Sequence, residues 1–237
     1  MNAGFPKKVM TVLGMHRSGT SCLAGCLEQM GVDFGGHGSQ GSEANQRGNK
    51  ENRAIAIFHE NILRFNGGSW HQPPSQVSWA ERHYSRAEAL LAEYGAKPCI
   101  AFKDPRTLLH LEHWERVFDR LAIEWQPVAI YRHPLATAQS LEKRDQFPLS
   151  KGLELWAHYN RQLLALHDSG VSFRLFSFEW SQQQFEKGLT DFASAMVLEG
   201  GDPGAFFTRE LKHFGGGDDT LPAEILALYQ SLQGLSG

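Results

Sequence analysis

The fold is decided by one stretch near the amino terminus, Val9–Ser21, which reads VMTVLGMHRSGTS. Val9–Leu13 is a short apolar run rich in β-branched residues, and a glycine follows it, as expected of a buried parallel strand before a tight turn. From Thr20 onward, apolar residues recur at helical spacing until Gly31. The stretch therefore predicts a strand, a glycine loop and a helix in succession.

The same alternation of strands and helices continues along the chain. Strands are predicted at Cys99–Phe102, Val128–Tyr131 and Ser172–Phe178, and helices at Glu51–Phe65, Trp79–Tyr94, Leu108–Arg120, Leu135–Arg144, Leu153–His167 and Ala223–Leu232. This alternation predicts a three-layer α/β fold with a doubly wound, mostly parallel sheet flanked by helices. The length of 237 residues fits one such domain, residues 1–237.

Composition and charge limit the classes of function. The chain has 23 Lys and Arg against 26 Asp and Glu, so its net charge of -3 does not favour nucleic-acid binding. Its first residues contain no apolar run long enough for a signal peptide or a membrane span, which predicts a cytoplasmic protein. Three cysteines without C-x-x-C spacing indicate neither a disulfide framework nor a zinc site, and no histidine pair has metal-binding spacing of the H-E-x-x-H kind. We expect no resident metal.

The glycine loop Gly14–Ser21 is the first candidate binding site. It has the glycine spacing of a nucleotide-triphosphate loop, G-x-x-x-x-G, but Thr20 stands where that motif requires lysine. A loop between a strand and a helix directs backbone N–H groups and the positive end of the helix toward an anion, so it can bind phosphate without lysine. Arg17 supplies the cation instead. The loop predicts an anion site, and a glycine turn without a ligand is the alternative.

A second candidate phosphate site follows the predicted strand Val128–Tyr131. Arg132 comes directly after this strand, and Ser140 lies eight residues further along the chain. If Pro134 opens the helix, Ser140 is about two turns, or roughly 9 Å, along its axis. Arginine offers a planar fork of donors and serine one hydroxyl, a combination that suits a phosphate group. Purely structural roles for both residues are the alternative.

Together these motifs resemble the sulfotransferase family, and in particular its bacterial branch, in which arginine replaces the lysine of the animal cytosolic enzymes' phosphosulfate loop. The resemblance covers roughly Val9–Phe178 and is carried by Gly14–Ser21, Lys103–Arg106, Arg132–Arg144 and Leu155–Asn160. It implies a P-loop type fold and 3′-phosphoadenosine 5′-phosphosulfate as the sulfuryl donor. Where relatives have a tyrosine–glutamate pair after the last strand, this chain has Phe178 and Glu179.

The resemblance also implies a role for each motif residue. The 5′-phosphosulfate would be bound by His16, Arg17, Ser18, Gly19, Thr20 and Ser21, and the 3′-phosphate by Arg132 and Ser140. Arg17 and Lys103 are expected to neutralise the charge that develops on the leaving phosphate, with no metal required. A solvated lysine at a strand end is the alternative for Lys103. Arg106 either takes part in the site or pairs with Asp104 or Glu112.

Glu51 is predicted to be the general base. The stretch Gly48–Arg53 resembles the segment that carries a catalytic glutamate in the protein-tyrosine and some bacterial sulfotransferases. Glu51 is also expected to start a helix, where the helix dipole favours a carboxylate for structural reasons alone. Asp104 is the rival, although an aspartate before proline often fixes a turn or pairs with a nearby arginine. His59 is the next candidate.

The sequence does not name the acceptor. The resemblance implies a hydroxyl or amine on a carbohydrate or small metabolite. The glycine-rich loop Gly35–Gly48 and the stretch Phe65–Trp79 are expected to line its pocket, because Trp70 and Trp79 can stack on a sugar or aromatic ring. Packing explains the two tryptophans equally well. The alternatives to a sulfotransferase are a nucleotide or small-molecule kinase, against which the missing loop lysine argues, and a non-catalytic nucleotide-binding protein.

Overall fold

The computed structural model describes residues 4–35, 50–198, 200 and 221–236. The strands are β1 (Lys8–Leu13), β2 (Cys99–Lys103), β3 (Glu124–Tyr131) and β4 (Arg174–Ser177). The α-helices are α1 (Thr20–Gln29), α2 (Arg53–Phe65), α3 (Glu81–Ala92), α4 (Leu111–Arg120), α5 (Pro134–Asp145), α6 (Leu149–Asp168), α7 (Gln182–Met196) and α8 (Ala223–Ser236), and a short 3₁₀ helix spans Pro105–Leu109. Except for Gly35, the predicted glycine-rich loop lies outside the described residues.

The order and pairing of these elements confirm the predicted fold class. Helices separate the strands along the chain, β1 pairs in parallel with β2, and β3 pairs in parallel with β4. The parallel pairing follows from the helical connections, since parallel strands require a long crossover. The protein is thus an α/β protein of the doubly wound type, with parallel strands flanked by helices.

The start of α2 differs from the prediction. The helix begins at Arg53, because the Asn52 side chain accepts hydrogen bonds from the backbone N–H groups of Ala54 and Ile55 at 3.0 and 3.2 Å. Asn52 is therefore the N-cap. Glu51 precedes this cap and lies outside the first turn, so the expected role of its carboxylate at the start of the helix does not apply.

Helix α7 was not predicted, although its start has a clear local signal. Ser181 Oγ accepts a hydrogen bond from the Gln184 backbone N–H at 3.2 Å, and the Gln184 side chain accepts one from the Ser181 backbone N–H at 2.9 Å. This reciprocal pair is a capping box. The S-x-x-Q pattern that encodes it is present in the sequence beyond the region of family resemblance.

Contacts divide the chain into two compact units. The first comprises Met1–Leu13 and Val32–Pro127, and the second comprises Gly14–Gly31 and Val128–Gly237. The assignment of residues 1–237 to a single domain stays a prediction.

The first unit has an aromatic core. The pairing of β1 with β2 runs in register from Lys8 and Cys99 to Val12 and Lys103. The fully buried ring of Trp114 lies beside other aromatic rings, at centroid distances of 6.1 Å from Phe58, 5.0 Å from Phe102 and 5.6 Å from Phe118. This packing fixes the carboxyl end of β2, where Lys103 is the last residue.

In the second unit, β3 and β4 pair in register from Val128 and Arg174 to Tyr131 and Ser177. Helices α5 and α6 pack against each other. Trp156 of α6 donates its indole N–H to the Arg132 carbonyl oxygen at 2.9 Å. This bond anchors the segment that links β3 to α5, which carries the second candidate phosphate site.

Candidate functional site

The glycine loop after β1 leads into α1, whose first backbone N–H groups can donate hydrogen bonds to a bound ligand. Gly19 is the N-cap of α1 with a left-handed φ of 92°, and a Cβ at this position would lie 2.3 Å from Phe178 Cδ2. Only glycine fits this backbone conformation and this close contact. Among the described residues, no side chain caps α1. The first backbone N–H groups of the helix therefore suit an anion.

Ser18 adds a buried hydroxyl to this loop. Its side chain is fully buried, and its Oγ has no hydrogen-bond partner within the part of the chain that the structure describes. Its backbone N–H donates to the Met15 carbonyl oxygen at 3.2 Å. A buried hydroxyl without a partner costs about 1–3 kcal/mol, so a ligand that accepts its hydrogen bond would offset that cost. Ser18 therefore fits a phosphate or sulfate oxygen.

The remaining predicted loop residues lie at the start of α1 and beside α6. The half-buried His16 ring meets the Tyr159 ring edge-on, with centroids 6.1 Å apart. Thr20 opens α1 with its side chain buried, and Ser21 follows half-buried. These positions are compatible with the roles that the resemblance implies.

Two residues predicted for different ends of the donor meet in the structure. Arg17 Nε donates a hydrogen bond to Ser140 Oγ at 2.8 Å. Arg132 Nη1 donates to the Arg17 carbonyl oxygen at 3.4 Å. The loop and the second candidate phosphate site thus form one group of residues, which we call the basic cluster: Arg17, Arg132, Ser140 and Arg144.

Electrostatics of the basic cluster favour an anionic ligand. Burial lowers the pKa of Arg17, and the charges of Arg144 and Arg132 lower it further, while Asp145 opposes them. Burial also lowers the pKa of Arg132, opposed by Glu179. These guanidinium groups nevertheless stay protonated at neutral pH, because arginine titrates far above it. The lowered pKa values reflect mainly the cost of burying the two cations, and at Arg17 also the repulsion from Arg144 and Arg132; a bound anion reduces both costs.

Two residues of this region were not predicted as site residues. Arg144 lies four residues after Ser140 on α5, a spacing that places both on one helix face and was visible in the sequence. Glu179 forms an ion pair with Arg132, with 3.6 Å between Oε1 and Nε. The Arg132 guanidinium also lies 5.2 Å from the centroid of the Phe178 ring. Phe178 and Glu179 therefore both contact the candidate 3′-phosphate arginine.

In the first unit, Lys103 and Glu51 form an ion pair. Lys103 Nζ donates to Glu51 Oε1 at 2.8 Å, and the two side chains are 3% and 19% exposed. Lys103 pairs in register with Val12, two residues before Gly14 in the chain. Its burial is inconsistent with the alternative of a solvated lysine at a strand end.

Asp104, the rival general base, is fully buried, and both of its carboxylate oxygens accept hydrogen bonds. Its Oδ1 accepts hydrogen bonds from the backbone N–H and Nε of Arg106 at 3.0 and 2.9 Å, and its Oδ2 accepts one from His59 Nδ1 at 2.9 Å. Burial raises the pKa of Asp104, but Arg106 and His59 outweigh burial and hold the pKa well below its usual range. Such a carboxylate is not available to an acceptor proton. Of the two partners predicted for Arg106, Asp104 and Glu112, the structure shows a pair with Asp104.

His59 is also held by hydrogen bonds at both ring nitrogens. The Trp114 indole N–H, which can only donate, donates to His59 Nε2 at 2.7 Å. Nδ1 therefore carries the proton that is shared with Asp104. Burial lowers the pKa of His59 despite the neighbouring Asp104 carboxylate, so this histidine is neutral near pH 7. Since neither nitrogen is available, His59 does not fit the role of general base.

Trp79, which was expected in the acceptor pocket, lies in the core of the first unit. Its side chain is 8% exposed, and its indole N–H donates to His110 Nδ1 at 3.2 Å. Its ring stacks on the His113 ring with centroids 5.0 Å apart. The packing alternative therefore applies to Trp79, whereas Trp70 is half-buried and a role in acceptor binding stays a prediction.

The described residues contain neither a metal-binding cluster nor a membrane-spanning helix. None of the groups of His, Cys, Asp and Glu side chains there is arranged to hold a metal ion. In the same residues, no helix combines the length and the apolar character that crossing a membrane requires.

Comparison with known proteins yields matches to solved structures. No family profile matches the chain, and no curated protein matches it significantly. The chain is similar to the sulfotransferase domain of the olefin synthase from Synechococcus PCC 7002, with 16% identity, coverage of 97% of this chain and 88% of that one, and a TM-score of 0.54. A sulfotransferase domain from the curacin biosynthetic pathway matches with 12% identity, 94% and 82% coverage, and a TM-score of 0.45. The first match shows that the chain has the fold of a sulfotransferase domain.

Proposed function

We propose that this protein is a sulfotransferase that uses 3′-phosphoadenosine 5′-phosphosulfate as donor and a hydroxyl or amine of a carbohydrate or small metabolite as acceptor. The observation that carries the proposal is the basic cluster, in which Arg17 of a lysine-free glycine loop binds Ser140 and contacts Arg132. A donor with anionic groups at both its 5′ and 3′ positions matches such a cluster better than a single phosphate chain does. The fold shared with a known sulfotransferase domain supports it.

The residues of the second unit fit this donor chemically. The Ser18 hydroxyl and the first backbone N–H groups of α1, which have neither a partner nor a side-chain cap among the described residues, suit the oxygens of the 5′-phosphosulfate. We assign the 3′-phosphate to Arg132 and Ser140, because a guanidinium fork and a hydroxyl together offer directed donors. Arg144 adds positive charge to the same region.

The chemistry we propose is a direct in-line transfer. The acceptor hydroxyl gives its proton to the Glu51 carboxylate while its oxygen bonds to sulfur. The bond between sulfur and the bridging phosphate oxygen breaks, which leaves adenosine 3′,5′-bisphosphate as the product. Arg17 and Lys103 are proposed to neutralise the charge that develops on the leaving phosphate, without a metal ion.

Adenosine 3′,5′-bisphosphate is expected to stabilise the protein more than ATP with magnesium does. At a hundredfold excess over its dissociation constant, the bisphosphate adds about 2.7 kcal/mol to the free energy of unfolding. In a chain of this length, that gain raises the melting temperature by roughly 5–10 °C. A thermal melt with each nucleotide measures the difference, and a larger shift with ATP and magnesium would instead indicate a kinase.

Replacing Arg132 or Ser140 by Ala is expected to weaken binding of adenosine 3′,5′-bisphosphate but not of 5′-AMP. Losing a hydrogen bond to a charged group costs about 1.5–3 kcal/mol, or roughly tenfold or more in affinity. Calorimetric titration of both nucleotides measures the selectivity, with Ser194→Ala on the exposed side of α7 as a matched control. Equal losses for the two nucleotides would show that these residues do not bind the 3′-phosphate.

A further inference from the structure

Arg106 lies among three carboxylates of the first unit. Its Nε donates to Asp104 Oδ1 at 2.9 Å, and its Nη1 donates to Glu60 Oε2 at 3.4 Å. Its Nη2 lies 3.8 Å from Glu51 Oε2, which is an ion pair too long for a hydrogen bond. The Arg106 side chain is 13% exposed. One guanidinium group therefore connects the candidate general base to a buried aspartate.

The Asp104 end of this arrangement is buried and held by hydrogen bonds. Asp104 is fully buried and accepts the His59 Nδ1 hydrogen bond, and His59 in turn accepts the indole hydrogen bond of the fully buried Trp114. These bonds run from the aromatic core of the unit to the Nε of Arg106. The core thereby sets the orientation of the guanidinium plane, because a carboxylate and an arginine fork bind in a defined geometry.

At the other end, two cations hold the two oxygens of Glu51. Lys103 Nζ binds Oε1 at 2.8 Å, and Arg106 Nη2 faces Oε2 at 3.8 Å. Glu51 precedes the N-cap of α2, so the regular backbone of the helix does not restrain it. Among the described residues, Lys103 and Arg106 are the ion-pair partners that orient this carboxylate.

We propose that Arg106 is a positioning residue that, anchored on Asp104 and His59, fixes the Glu51 carboxylate for proton transfer from the acceptor. The proposal rests on the proposed function, in which Glu51 takes this proton. Arg106 acts through Glu51 and does not touch the acceptor. A general base works only within hydrogen-bond distance of the proton it removes, and a displacement of about 1 Å costs on the order of 10²-fold in rate.

A kinetic double-mutant cycle tests this role. Arg106→Gln is expected to lower kcat by about 10²-fold while KM for the donor stays unchanged. In the Glu51→Gln background the same change should lower kcat no further, since residues that act as a unit show non-additive losses. Arg106→Lys keeps a positive charge beside Asp104 but lacks the planar fork that faces two carboxylates, so it is also expected to lower kcat. This variant tests the proposal if Arg106→Gln does not fold.

Arg120→Lys is the matched control. Arg120 is an arginine of the same unit that pairs with Glu81 and Glu88, and its replacement should leave kcat unchanged. If Arg106→Lys has the kcat of the wild type, or if its loss multiplies with that of Glu51→Gln, the positioning role is wrong.

A second cycle on urea unfolding needs no acceptor and separates the two proposals. If Arg106 and Glu51 interact, the double variant Arg106→Lys, Glu51→Gln loses less stability than the sum of the two single losses. If the two losses in unfolding free energy are non-additive but the protein transfers no sulfuryl group, Arg106 still restrains Glu51 and the proposed function is wrong. If the two losses are additive but the enzyme is an active sulfotransferase, the positioning role of Arg106 is wrong and the proposed function is retained.

Discussion

Glu51→Gln is expected to lower kcat by about 10²–10⁴-fold while binding of adenosine 3′,5′-bisphosphate stays at the wild-type level. The amide keeps the shape of the side chain but cannot accept the acceptor proton. The residues proposed to bind the two phosphates belong to the second unit, and Lys103, which pairs with Glu51, is proposed to act on the charge that develops during transfer, so the affinity for the nucleotide should not change. Once an acceptor has been found by screening, turnover with labelled donor measures kcat. Calorimetric titration measures the affinity for adenosine 3′,5′-bisphosphate.

Glu88→Gln is the matched control for this experiment. Glu88 is a partly exposed glutamate of the same unit, and it also pairs with an arginine, Arg120. Its replacement should leave turnover unchanged. Near-wild-type turnover of Glu51→Gln would contradict the assignment of the base, and because Asp104 and His59 are both engaged by hydrogen bonds, the base would then have to be sought among other residues.

Asp104→Asn is expected to lower the free energy of unfolding by about 3–5 kcal/mol. Asp104 is the fully buried acceptor of hydrogen bonds from Arg106 and His59, and a neutral amide leaves the Arg106 charge without its closest partner. Urea unfolding at neutral pH measures the loss. Asp119→Asn, an exposed aspartate of α4, is the control and should unfold at the urea concentration of the wild type.

The effect of Asp104→Asn should also depend on pH in a defined direction. The folded protein holds the pKa of Asp104 well below its usual range, because Arg106 and His59 outweigh burial. The stabilisation is therefore complete above the unfolded-state pKa of about 4, and it is lost as the pH falls through the folded-state value. The stability difference between wild type and variant should shrink in acid. A difference that is absent at neutral pH, or that grows in acid, would contradict this account.

The elements that sequence analysis predicted best are those with strong local signals. The apolar run Val9–Leu13 and the helical spacing after Thr20 predicted β1 and α1 at nearly their observed bounds. The loop between them was predicted because glycine spacing determines backbone conformation over a few residues. The start of α2 was misplaced by two residues, since the helical apolar pattern does not reveal that the Asn52 side chain caps the helix.

The sequence predicted which residues belong to the candidate site, but not which of them contact one another. Arg17, Ser140, Lys103 and Glu51 were all singled out from the sequence, but Arg17 was assigned to the 5′ end of the donor and Ser140 to the 3′ end. The hydrogen bond between them joins residues 123 positions apart. No local spacing predicts such a bond, because it depends on how α5 packs in the second unit.

The sequence by itself determined the class of fold, and it predicted an anion site at the glycine loop and the residue types proposed for catalysis. Only the tertiary structure distinguishes the surroundings of the three candidate bases, Glu51, Asp104 and His59. Asp104 and His59 are buried and satisfy each other's hydrogen bonds over a separation of 45 positions, whereas the Glu51 side chain keeps 19% of its surface exposed. Exposure and long-range hydrogen bonds depend on the packing of distant segments, which local sequence patterns do not contain.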